Sequence, residues 1–141
     1  MKTVSFTVPG PPKGKARART VRGRGGNTLS YTPEGTVLYE NLIKTSYLQQ
    51  PNNTIFNDGQ PLKVVVQAFY DIPKSYSKKK RQQMLAGEIR PTKKPDIDNI
   101  AKCILDALNK VAYRDDTQVI ELVMKKAYAE IPRVEVEIQE I

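Results

Sequence analysis

With 141 residues, 39% of them hydrophobic and 27% charged, the chain suits one globular domain that hides roughly 68–70% of its unfolded surface, and disordered and fibrous classes are excluded. Twenty-three Lys and Arg against fifteen Asp and Glu leave a net charge of +8, which favours a polyanionic partner: nucleic acid first, an anionic membrane surface second. Histidine is absent and Cys103 is the single cysteine, so an internal disulfide and a Cys/His zinc site are excluded and any metal must be held by oxygen.

Val4, Phe6 and Val8 alternate with polar residues as in a half-buried strand, which Pro9-Gly10-Pro11-Pro12 ends. Residues 13–26 carry Lys13, Lys15, Arg17, Arg19, Arg22 and Arg24 with four glycines and no acid. They are too polar for a core element and read as a basic arm or loop. Thr32-Pro33-Glu34 resembles a helix start, with Thr32 as N-cap and Pro33 in the first turn. Val37, Leu38, Leu42, Ile43 and Leu48 form its apolar stripe to about Gln49. Leu62, Val64, Val66, Ala68 and Tyr70 share one face of a second strand closed by Pro73.

Ser77 caps a short basic surface helix beginning at Lys78 and ending before Gly87. Asp98 is expected to cap a helix of about 14 residues buried through Ile100, Ile104, Leu108 and Val111, with Asn99, Lys102, Asp106 and Asn109 opposite. The segment 117–128 and the alternation of Val134, Val136 and Ile138 predict a terminal hairpin turning near Glu130 to Pro132. Together these give an α+β fold: one small domain over residues 1–141, a mixed β-sheet packed with two main helices. No apolar run approaches the ~20 residues of a membrane span, and the start of the chain lacks a signal-peptide core, so a cytoplasmic protein is expected.

Fifteen of the cations fall in two stretches, seven before Glu34 and eight from Lys74 to Lys94. Such runs are either solvated surface or two phosphate-contacting walls of a cleft, the second set comprising Lys78, Lys79, Lys80, Arg81, Lys93 and Lys94. Asp96-Ile97-Asp98 lies between those walls and the long helix. In an extended segment both carboxylates point the same way and can grip one cation, with Asp115-Asp116 supplying a further ligand. That requires the chain after Tyr113 to turn back along the helix. Singly, each acid also reads as a cap or a turn residue, and Lys102 between Asp98 and Asp106 as a rung of a surface ion-pair ladder. Cys103, Phe69 and Tyr70 read as core residues.

The string Lys94-Pro95-Asp96-Ile97-Asp98-Asn99-Ile100 with Lys102, then Asp106-Ala107-Leu108-Asn109, then Asp115-Asp116-Thr117-Gln118-Val119, resembles the RusA family of Holliday junction resolvases. The likeness is densest over residues 93–123. It implies a RusA-like homodimer that nicks two opposed strands of a four-way DNA junction symmetrically, in recombination and repair, leaving 5′-phosphate and 3′-hydroxyl ends. Carried over by that resemblance, Asp96, Asp98 and Asp116 are metal-binding acids for Mg²⁺, with Mn²⁺ as an alternative. Asp115 is a supporting acid and Lys102 the catalytic lysine. Two departures stand out: Lys110 follows the helix where many relatives have Gly, and alanines separate the arm's cations where relatives often have Pro. The alternatives are a general metal-dependent endonuclease and a non-catalytic basic nucleic-acid-binding protein.

Overall fold

A computed structural model describes residues 1–16, 19–31 and 33–141, with Arg19 described by its backbone alone. Among the described residues the strands are β1 (Thr3–Pro9), β2 (Arg19–Arg22), β3 (Thr28–Tyr31), β4 (Leu62–Tyr70), β5 (Val119–Tyr128) and β6 (Arg133–Glu140). The helices are α1 (Glu34–Leu48), α2 (Lys78–Leu85) and α3 (Ile97–Leu108). The main sheet has the order β1-β6-β4-β5, antiparallel except for the parallel β4–β5 pair. The α+β class read from the sequence holds.

The β4-α3-β5 crossover makes β4 and β5 parallel, because a helix between two strands returns the chain to the edge where it began. β4 takes the centre of the sheet because one of its faces is wholly apolar: Leu62, Val64, Val66, Ala68 and Tyr70 are all buried. β6 then adds on the far side of β4, opposite Val64 through Ile138 and Val66 through Val136. The expected hairpin of the last two segments therefore does not form; β5 and β6 are separated by β4. Alternation identified both strands but carried no information about which neighbour each would choose.

Helices α1 and α3 cover one face of the sheet. Ile100, Cys103, Ile104, Ala107 and Leu108 of α3 are fully buried, and each large aliphatic side chain contributes about 1.5–3 kcal/mol through burial. Val111 lies beyond the helix end and is only half-buried. The buried face of α1 consists of Thr36, Tyr39, Ile43, Ser46 and Tyr47, whereas Val37, Leu38 and Leu48 are exposed. The aliphatic stripe read from the sequence was thus displaced by tyrosines, whose rings bury more area. Tyr47 packs edge-on against Phe6, with ring centroids 5.4 Å apart, and its hydroxyl donates to the Thr54 carbonyl. Pro33, with no side-chain bond to the helix, occupies the N-cap position of α1; the expected cap Thr32 lies outside the described residues.

The basic arm is not wholly loop: β2 and β3 pair antiparallel, Arg19 with Tyr31 through Arg22 with Thr28, around a turn at Arg24–Gly26. None of the described side chains of this hairpin is buried, and Val21, Leu29 and Tyr31 are exposed. No helix among the described residues is long and apolar enough to cross a membrane.

Candidate active site

Two positions hold the functional candidates, one at each end of α3. At its start Asp96 occupies the N-cap position and Asp98 the first turn. This corrects the expectation that Asp98 caps the helix and that the Asp-x-Asp acids lie on extended chain. The Asp96 side chain makes no capping bond to the helix, so the helix does not use its carboxylate, and Asp98 is exposed. The segment is pinned to the end of β4 by Tyr70, whose hydroxyl donates to the Pro95 carbonyl at 2.6 Å. Burial pushes that phenol up to about 12, helped by the nearby Asp96 charge, so it remains a donor at any working pH.

Both basic stretches meet here. Residues 12–16 of the arm lie against residues 94–99, and together they line a shallow cleft of about 390 Å³ that brings Lys13, Lys15 and Lys94 to Asp96 and Asn99. The contact is tight. The Lys15 N–H donates to the Asn99 carbonyl at 3.3 Å, the Ala16 N–H donates to Thr36 Oγ1 at 3.1 Å, and a Cβ on Gly14 would come within 3.1 Å of the Asn99 side chain. Lys15 Nζ reaches along α3 to Asp106 Oδ2 at 2.6 Å. That bond, ahead of the opposing effect of burial, raises the Lys15 pKa. Asp106 therefore pairs with the arm and not with Lys102, which is exposed and makes no ion pair among the described residues; the expected ladder does not form.

At the far end of α3 the chain leaves the helix through Asn109, and Lys110 takes a left-handed backbone with φ 65°. The Lys110 N–H donates to the Tyr113 carbonyl at 2.7 Å, and this turn presents Asp115 and Asp116. The two acids have different surroundings. Asp115 caps the short turn that follows, accepting from the Thr117 N–H at 3.3 Å, while Gln118 Oε1 accepts from the Asp115 N–H at 3.3 Å. Gln118 is itself buried and anchored to the carbonyls of Asn57 and Gln60. The Asp116 N–H donates to Asn109 Oδ1 at 2.8 Å. Burial first, then Asp115 and Asp106, raise the Asp116 pKa, and Asn109 offsets part of that rise. Asn99 and Asn109 were not singled out from the sequence as site residues; an amide on a polar helix face carries no signal until its partner is known.

The chain does reverse after Tyr113 as expected, but Asp116 precedes β5 and so stays at the C-terminal end of α3. The twelve residues of α3 place Asp96 and Asp98 about 18 Å from that end at ~1.5 Å rise per residue. Consistently, no group of three or more carboxylate, thiol or imidazole side chains among the described residues is placed to hold one metal ion. The donor chemistry suits a hard cation such as Mg²⁺, since the acids are aspartates and Cys103 is buried with its thiol pushed up to about 12. The geometry of a lone chain does not: Asp96 and Asp98 lie apart from Asp116.

The other expected DNA contacts lie around the edge of this face. Lys78, Lys79, Lys80 and Arg81 project from α2, whose cap is the Ser77 hydroxyl accepting from the Lys80 N–H at 3.2 Å, as read from the sequence. Lys80 Nζ sits 3.9 Å from the Tyr76 ring centroid. Lys93 lies over the Tyr70 and Tyr128 rings at 6.0 and 5.7 Å, and its carbonyl accepts from Lys126 Nζ at 2.7 Å. The distant basic residue Lys126 thus joins the same cluster. Arg22 ends β2 and Arg24 lies in the hairpin turn. Arg17 and the Arg19 side chain lie outside the described residues.

Comparison with known proteins agrees with the motif. A family described as Endodeoxyribonuclease RusA matches residues 9–139. The chain is 37% identical over 143 residues to "Uncharacterized protein YqaN" of Bacillus subtilis (strain 168), covering 100% of this chain and 99% of that protein. It is 32% identical over 117 residues to "Crossover junction endodeoxyribonuclease rusA" of Lactococcus phage r1t, covering 82% and 81% of the two chains. The match runs from the last residue of β1 into β6 and includes both ends of α3, and on that basis the chain belongs to the RusA endodeoxyribonuclease family.

Proposed function

We propose that this protein is a Mg²⁺-dependent Holliday junction resolvase that acts as a homodimer, nicking opposed strands of four-way DNA during recombination and repair. The name of the phage relative supplies the substrate class. The observation that carries the reading is the meeting of the two basic stretches at Asp96, where Lys13, Lys15 and Lys94 surround an acid not used for capping. In a protein of net charge +8, cations spread over α2, the arm and the Lys93–Lys94 segment suit backbone contacts, which position a duplex without reading its sequence. Asp96, Asp98 and Asp116 are the proposed metal ligands, Asp115 supports Asp116 and Lys102 is the proposed catalytic lysine.

The separation of the acids in a lone chain favours a second reading, a basic binding protein that cuts nothing. Incubating the purified protein with labelled four-way, three-way and linear DNA, with and without Mg²⁺ and alongside Asp116→Asn, separates the two. Mg²⁺-dependent nicking confined to the four-way substrate and lost in the variant is the expected result. Equal cutting of linear duplex would indicate a general endonuclease, and binding without cutting would leave only the second reading.

A further inference from the structure

We infer that the groove beside β5 is a subsite for one unpaired nucleotide of the DNA strand, with its base on an apolar floor and its phosphates on a basic rim. This deepens the functional reading above and rests on it. The groove lies between the last residues of β4 and β5 and the chain that joins α2 to α3. Its volume of about 470 Å³ falls within the roughly 300–1,000 Å³ that small-ligand sites occupy. Phe69, Met84, Ile97 and Met124 supply its apolar surface; Met84 is buried, Phe69 and Met124 are half-buried and Ile97 is 42% exposed. Among the described residues that line it, Arg90, Lys125 and Lys126 carry charge and none is acidic. Two of these cations are held at the rim by main-chain carbonyls: Arg90 Nε donates to Gly87 at 3.2 Å and Lys126 Nζ to Lys93 at 2.7 Å.

The chemistry of the occupant follows from this division. A neutral apolar ligand would leave three cations without counter-charge, and a paired duplex keeps its base faces stacked and offers only phosphates. An unpaired nucleotide supplies both an apolar ring face and an anion, the combination that single-strand sites take. Among the described residues β5 pairs with β4 alone, so N–H and C=O groups on its outer edge remain for the polar rim of a base. The position of the groove selects the strand. Ile97 separates Asp96 from Asp98, so the groove opens at the proposed metal acids. The cations also continue from Lys126 past Lys93 to Lys94, which lines the cleft at Asp96, and so form a track for a backbone that reaches those acids. An acidic peptide adding to β5 would meet the same groups, but nothing leads its chain on to Asp96 and Asp98.

The test measures binding in EDTA, where no cutting intervenes, with two fluorescent probes: a single-stranded oligothymidylate and a linear duplex. Ile97→Gln and Met124→Gln are expected to weaken single-strand binding about fivefold or more, the lower end of what one stacked base contributes, and to leave duplex binding unchanged, which also shows that each variant is folded. Lys125→Gln should lower the salt slope for the single strand by about 0.7, the share of one phosphate contact. A photoreactive 5-iododeoxyuridine in the oligonucleotide should cross-link to the peptides that carry Phe69, Met84 or Met124. A wild type that ignores the single strand, equal weakening on both probes, weakening on neither, or cross-links confined to residues 13–26 overturns the subsite. So does a Met124→Gln variant whose sedimentation mass changes while its single-strand binding does not, because the groove is then a contact between proteins. Should the expected pattern hold in a protein that never nicks a four-way junction, the subsite stands and the nuclease reading fails; junction nicking without the pattern has the opposite meaning.

Discussion

Lys110 offers the sharpest test of how the chain delivers Asp116. It is an exposed residue held at φ 65° immediately after α3, the only non-glycine residue with positive φ among those described. An L side chain in that region costs roughly 1–2 kcal/mol through its Cβ contacts. Replacing it with Gly removes that cost and returns about 0.4–1 kcal/mol to the unfolded chain as added freedom. The net expectation for Lys110→Gly is stabilisation by about 0.5–1 kcal/mol. For 141 residues an unfolding entropy of ~2.1 cal/mol/K per residue converts ~1 kcal/mol into ~3 °C of Tm. Differential scanning calorimetry of Lys110→Gly, Lys110→Asn and Lys110→Val should give Tm values in the order Gly, Asn, wild type, Val. A Gly variant that melts below wild type would refute the left-handed turn, and with it the path that carries Asp116 away from the start of α3.

Three further outcomes follow from the same contacts. Ile104→Ala removes a fully buried side chain between α3 and the sheet and should cost about 2–5 kcal/mol in urea unfolding; a loss below ~1 kcal/mol would contradict the packing described. Asp116 has its pKa raised above 3.8 by burial and by neighbouring carboxylates, so the native state holds that proton to higher pH than the unfolded chain does. Its ionisation lowers stability as pH rises from about 3.8 through the native pKa, and the loss persists above it. Asp116→Asn in chelator should accordingly melt higher than wild type at pH 7, and a lower Tm would sink the assignment. Lys15→Met and Asp106→Ala each break the 2.6 Å bond that ties arm to helix, worth about 1 kcal/mol at this exposure. Their double variant should be no less stable than the worse single one, whereas additive losses in calorimetry would mean that Lys15 and Asp106 act independently.

How much of this was legible in the sequence depended on the range of the forces involved. β1, β4 and α3 were readable because Val4-Phe6-Val8, Leu62 to Tyr70 and Ile100-Ile104-Leu108 repeat at the period of the element that buries them. The Ser77 cap was readable because its bond spans three residues. The insertion of β6 between β1 and β4 was not, since pairing over long separations leaves no trace in alternation. Nor was the β2–β3 hairpin, whose pairing is carried by backbone bonds and turn glycines with no buried apolar face. At the site, the residues were legible from the motif, but their arrangement was not. An Asp-x-Asp pair and an Asp-Asp pair flank the helix in sequence, and only the crossover shows that a helix's length keeps them apart. The engagement of Lys15 by Asp106 across ninety-one positions was equally invisible, and it turned an expected phosphate contact into an anchor of the arm.

The central claim is that the acids at the two ends of α3 belong to one nuclease centre for branched DNA. Mapping of cut sites on a four-way junction with each strand end-labelled in turn tests it most directly. The account gives Mg²⁺-dependent nicks at symmetry-related positions in two opposed strands, abolished both by Asp98→Asn and by Asp116→Asn. Nicking that survives either substitution at the wild-type rate, or a junction bound tightly and left uncut at every Mg²⁺ concentration, would contradict it.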